Sequence, residues 1–98
     1  MIVAVDFDGT LVDEDGWLPG AEDALRWLAH NHTVIIHTCR ANWQGGLLTV
    51  YDLLADVRLW HPKVTVHAAS GKPEADVYID DKAIRFTGDW PETLANLR

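Results

Sequence analysis

Six residues of this 98-residue chain have the types and spacing that could do chemistry together. Asp6 and Asp8 lie two apart in Asp6-Phe7-Asp8-Gly9-Thr10, and Asp80 and Asp81 are adjacent in Tyr78-Ile79-Asp80-Asp81. Thr38 and Lys72 stand between them, Lys72 within Gly71-Lys72-Pro73. Carboxylates crowded into one place repel one another, and a hard divalent cation with oxygen ligands is the usual way to hold them ionised. Mg²⁺ suits a site with few protein ligands and several waters, so these residues imply a Mg²⁺ centre wherever they converge.

Whether they converge depends on the elements that carry them. Ile2 to Val5 is a continuously apolar run that stops at Asp6, the pattern of a strand covered on both faces within a parallel sheet. Pro19-Gly20 precedes Glu22 and Asp23, two acids suited to the first turn of a helix running to about His30, with Ala21, Ala24, Leu25 and Leu28 as its buried stripe. Thr33 to His37 is a second β-branched run, ending in Thr38-Cys39-Arg40, and strand-helix-strand order implies a right-handed parallel crossover. Asn42 can cap a second helix in which Leu47, Leu48, Tyr51, Leu54 and Ala55 recur at helical spacing, and the Gly45-Gly46 pair near its start suggests close backbone packing.

Val64 to His67 and Ala75 to Ile79 read as the third and fourth strands, Ala83 to Phe86 as a short fifth, and Pro91 to Leu97 as a terminal helix with Pro in its first turn. The interval from Ala68 to Glu74 is shorter than the crossover of about 10–12 residues or more that usually carries a helix, so one sheet face should be thinly covered there. Asp6, Thr38, Lys72 and Asp80-Asp81 all fall at or near strand carboxyl ends. In an open parallel sheet those ends share the edge where ligands bind, which brings residues scattered through the sequence to one crevice.

Composition narrows the ligand. Eight Lys and Arg against fifteen Asp and Glu give a formal charge of −7, which disfavours nucleic acid and anionic membranes and leaves a small, metal-neutralised anion as the better partner. A chain of this size buries only about 60–65% of its unfolded surface, and a single domain over residues 1–98 is expected. No apolar run reaches the roughly 20 residues of a membrane-spanning helix, and no basic region precedes the first apolar run, so the expected location is the cytoplasm. Cys39 is the one cysteine and reads as a small buried hydrophobe.

Asp-x-Asp-Gly-Thr after an apolar strand, then Thr38, Lys72 and the acidic pair, in that order, closely resembles the haloacid dehalogenase-like hydrolases. The likeness covers nearly the whole chain. It implies a three-layer α/β Rossmann-like domain and a Mg²⁺-dependent phosphohydrolase for a small phosphomonoester. Asp6 would be the nucleophile and form an aspartyl-phosphate, and Asp8 would act as general acid and base while its backbone carbonyl ligates the metal. Thr38 and Lys72 would stabilise charge on the transferring phosphoryl group. Asp80 would complete the metal site with Asp6, and Asp81 would orient a metal-bound water or serve as the alternative ligand. Neither of the cap insertions common in that family fits this length, leaving Leu11 to Pro19 as a flap, so a bulky substrate or a homo-oligomer partner would have to close the site.

Rival readings are a phosphatase of nucleic-acid ends and a non-catalytic binding protein on the same scaffold. A response-regulator-like receiver is disfavoured because Lys72-Pro73 precedes the acidic pair. Taken alone, Asp6 and Asp8 or Asp80-Asp81 could be ordinary turn residues, Lys72 a loop lysine and Thr38 a strand residue. Five tryptophans should mainly supply core area, with Trp17 in the flap the one placed to cover a base or sugar ring. His37 is expected to be hydrogen-bonded in the core, and His30-Asn31-His32 has no role as a tripeptide.

Overall fold

The computed structural model describes residues 1–42, 45–67 and 71–97, with the backbone alone for Ala41, Asn42, Leu59 and Trp60. Strand β1 (Ile2–Asp6) leads through a hairpin of β2 (Val12–Asp13) and β3 (Gly16–Trp17) into helix α1 (Ala21–Asn31). Then come β4 (Thr33–His37), a 3₁₀ turn (Cys39–Asn42), helix α2 (Gly46–Trp60), β5 (Thr65–Val66), β6 (Val77–Ile79) and α3 (Trp90–Ala95).

The main sheet is parallel throughout, in the order β5-β4-β1-β6. The chain moves outward from β1 through β4 to β5, then returns to the other side of β1 as β6. That reversal makes the carboxyl end of β1 a topological switch point, the position where open α/β sheets form a ligand crevice. The expected α/β class with a short parallel sheet therefore holds.

Alternation sorts the strand residues by face. Val3, Val5, Val34, Ile36 and Val64 are buried in one cluster with Ala21, Leu25 and Ala29 of α1 and Val50, Leu54 and Val57 of α2. Each fully buried Val or Leu contributes about 1.5–3 kcal/mol relative to exposure, so this face holds the domain together. The opposite face carries Asp6, Ile35, His37 and Tyr78, all at least partly accessible. Three packed layers were expected; among the described residues only two are seen. No helix occupies residues 71–76 between β5 and β6, and α3 buries none of its residues.

Several local expectations are corrected. The fifth strand at Ala83 to Phe86 is absent, and β6 remains the edge of the sheet, because an extended segment becomes a strand only when it finds a partner. Helix α2 begins after Gly45 rather than after Asn42, which ends the 3₁₀ turn. Its buried stripe runs through Gly46, Val50, Leu54 and Val57, while Leu48 is 69% exposed and Ala55 also faces solvent. In α1, Ala29 takes the buried place expected of Ala24.

Of the tryptophans whose side chains are described, Trp17 alone packs against the core. Trp27 is 61% exposed on the outer side of α1, and Trp90, 63% exposed, meets Phe86 instead. Cys39 is exposed, because the 3₁₀ turn carries the chain off the sheet immediately after buried Thr38. Among the described residues no helix is long and apolar enough to cross a membrane.

Candidate functional site

Register places the first carboxylates. Val5 pairs with Ile79, so one residue further along both strands Asp6 stands beside Asp80. On the other side Asp6 pairs with His37, which puts Thr38 just beyond the same edge. The chain then turns: the Phe7 carbonyl accepts from the backbone N–H groups of Thr10, Leu11 and Val12, and Gly9 N–H donates to the Val12 carbonyl at 2.7 Å. Gly9 adopts φ +85°, a left-handed conformation that a glycine reaches without strain. A Cβ at this position would lie 2.4 Å from Asp81 Oδ2, so the missing side chain also lets the Asp81 carboxylate approach.

Oxygens of Asp6, Asp80 and Asp81 lie within 4.8 Å of one another. Burial, then the charge of Asp80, pushes the Asp6 carboxyl up to about 6 from 3.8. Asp81 adds to the rise by its charge and a shared hydrogen bond, and the Phe7 backbone N–H opposes it. Two acids beside a partly buried carboxylate form a three-oxygen donor set that fits a hard divalent ion. Thr10 Oγ1 reaches Asp6 Oδ2 at 3.4 Å, too long to neutralise the charge.

Asp8 points elsewhere. Arg40 Nη2 donates to Asp8 Oδ1 at 2.7 Å and Arg40 Nε to Oδ2 at 2.9 Å, a two-pronged ion pair that raises the guanidinium further above its ordinary pKa. Arg40 N–H donates to Thr38 Oγ1 at 3.1 Å, and Thr38 is only 5% exposed. Asp8, Arg40 and Thr38 thus form one connected group. Arg40 also lies over the Phe7 ring, 5.3 Å from its centroid.

Lys72 joins the acidic cluster instead. A cleft of about 80 Å³ on the less covered face of the sheet is lined by Asp6, His37, Lys72, Tyr78 and Asp80, with Ala4, Ile79 and Ala83. The Lys72 Nζ sits 3.9 Å from the Tyr78 ring centroid. A larger hollow of about 330 Å³ lies on the other side of Tyr78, lined by Ile2, Glu74, Ala75 and Asp76. Among the described residues it holds no comparable cluster of acid, base and ammonium, so chemistry rather than size points to the cleft.

The structure therefore brings together Asp6, Lys72, Asp80 and Asp81, and links Asp8 to Thr38 through Arg40. Arg40 was missed in the sequence reading. The signal was the alignment of Asp6 with His37, since Asp8 and Arg40 follow those partners by two and three residues. The Nδ1 atom of His37 is buried without a hydrogen-bond partner among the described residues, against the expectation of a satisfied core histidine. Trp17 packs inward from the β2–β3 hairpin and does not line the cleft. Set against protein-family models, curated proteins and solved structures, the chain matches none.

Proposed function

We propose that the chain is a Mg²⁺-dependent phosphohydrolase of the haloacid dehalogenase-like kind, a cytoplasmic enzyme acting on a phosphomonoester through an aspartyl-phosphate on Asp6. One observation carries the reading: three carboxylates meet at the switch point of a parallel sheet, with Lys72 on the wall of the same cleft. A bound Mg²⁺ would be held by Asp6, Asp80 and Asp81 and would offset charge on the phosphoryl oxygens.

An Asp6 carboxylate oxygen attacks phosphorus, and the bond from phosphorus to the leaving oxygen breaks. Asp8, once one of its oxygens has left the Arg40 fork and taken a proton from solvent, gives that proton to the leaving oxygen. Water then attacks the phosphorus of the aspartyl-phosphate, yielding its proton to Asp8, and the phosphorus bond to Asp6 breaks to release phosphate. Lys72 balances negative charge in the cleft during both displacements. Arg40 aims the Asp8 carboxylate, supported by Thr38.

The cleft volume supports a ligand that inserts little more than a phosphoryl group. About 80 Å³ lies well below the roughly 300–1,000 Å³ of pockets that enclose a small molecule, so the remainder of the substrate would lie outside. Rapid acid quenching during turnover, followed by mass spectrometry, tests the covalent route. Phosphate on the peptide containing Asp6 is the expected result, and turnover with no such adduct would overturn the route.

A further inference from the structure

We propose that Tyr78 is the positioning residue for Lys72, its hydroxyl and ring together holding the Lys72 segment against the cleft. The inference rests on the phosphohydrolase reading for its consequence in catalysis, but its geometry stands independently.

The problem Tyr78 solves comes from topology. Residues 71–76 approach β6 without a helix, so no regular hydrogen bonding within this segment fixes where Lys72 stands. An exposed lysine in such a segment samples many rotamers, each costing entropy to restrict. Two interactions converge on this one. Tyr78 Oη donates to the Pro73 carbonyl at 2.5 Å, tying the backbone just after Lys72. The Lys72 ammonium lies on the face of the same ring, 3.9 Å from its centroid, where the aromatic quadrupole attracts a cation.

The ends of the segment are held as well. Pro73 is buried, and Asp76 is pinned to β1 by two hydrogen bonds, from Ile2 N–H to its carboxylate at 2.7 Å and from its own N–H to the Ile2 carbonyl at 2.8 Å. Tyr78 pairs in register with Ala4, two residues before Asp6 on the same face. A small residue at Ala4 leaves the ring room to lie in the cleft wall beside Asp6. The side chain that locates Lys72 is thus itself located by the strand next to the acidic cluster.

The test combines kinetics with a spectroscopic readout. Tyr78→Phe keeps the ring and loses the Pro73 bond; Tyr78→Leu loses both. Turnover of an aryl phosphate should fall severalfold in the first and on the order of tenfold to a hundredfold in the second, mainly in kcat. In a Lys72→Ala background Tyr78→Leu should add no further loss. Equal losses in both backgrounds would show that Tyr78 acts other than through Lys72 and overturn the proposal.

Ring-current shifts decide the placement without any turnover. The Lys72 ε-methylene protons should resonate upfield of ordinary lysines in the native protein and in Tyr78→Phe. Ordinary shifts in the native protein would overturn the proposal even if Tyr78→Leu failed to fold. A native protein with the upfield shift but no phosphatase activity would overturn the phosphohydrolase reading alone.

Discussion

Arg40 grips Asp8 with both prongs of its guanidinium, at 2.7 and 2.9 Å, although 32 residues separate them in the chain. The pair fixes the direction of the only carboxylate of the Asp6–Asp8 motif that is turned away from the acidic cluster. Under the proposed mechanism that carboxylate must meet the leaving oxygen, so its aim matters more than its contribution to stability.

Replacing Arg40 should separate those two effects. Arg40→Gln and Arg40→Lys both lose the fork, since a lysine ammonium cannot donate in two fixed directions. Turnover should drop by on the order of tenfold or more in each. Stability should change by less than about 1 kcal/mol, because both side chains are partly solvated. Parallel steady-state kinetics and thermal melts check this; unchanged turnover in both variants would remove Arg40 from the mechanism.

Gly9→Ala probes the close approach of Asp81. The left-handed backbone alone costs about 1 kcal/mol for alanine, and the new methyl must also displace the Asp81 carboxylate. A melting temperature lower by at least about 4 °C is expected, with weaker Mg²⁺ stabilisation than in the native protein. Melting curves with Mg²⁺ and with chelator measure both, and native-like values in the two conditions would contradict the assigned contact.

A third expectation concerns pH in the absence of metal. Asp6 titrates at about 6 when folded and near 3.8 when unfolded, so the folded state holds its proton more tightly. Its contribution to stability is fully present below about 3.8 and is lost as pH rises through about 6. Metal-free melting temperatures should therefore decline over that window more steeply than in Asp6→Asn. Mg²⁺, which competes with the proton for these carboxylates, should stabilise more at pH 7.5 than at pH 5. Equal pH slopes in chelator for the two proteins would refute the assignment.

Helix α2 supplies a prediction about the core. Leu54 is fully buried and Leu48 lies in solvent, so Leu54→Ala should cost about 2–5 kcal/mol and Leu48→Ala no more than about 0.5 kcal/mol. Denaturant titrations of the two variants distinguish this packing from the alternative in which Leu48 faces the sheet.

That alternative was the one the residues suggested, and the reason is physical. Leu47, Leu48, Val50, Tyr51, Leu53, Leu54 and Val57 make α2 apolar on nearly every side, so periodicity admits more than one buried stripe. The structure buries the stripe of Gly46, Val50, Leu54 and Val57. By contrast β1 and β4 were legible because apolar runs ending in Asp6 and Thr38 leave little choice of element or direction. Strand ends then brought Asp6, Asp80 and Asp81 together as expected.

What stayed hidden depends on pairings between distant segments. The Asp8–Arg40 fork follows from the β1–β4 register, and the clamp on Lys72 from the contacts that Tyr78 of β6 makes with Lys72 and Pro73. The loss of the strand at Ala83 to Phe86 has the same origin: its residue types suit extension, but nothing pairs with it among the described residues.

The central claim is that Asp6 is a metal-assisted nucleophile toward phosphorus, and phosphate release from a generic aryl phosphate tests it most directly. The native protein should release phosphate with Mg²⁺ and not with chelator, while Asp6→Asn, folded by circular dichroism, should release none above background. Metal-dependent release at the native rate from Asp6→Asn would contradict the claim.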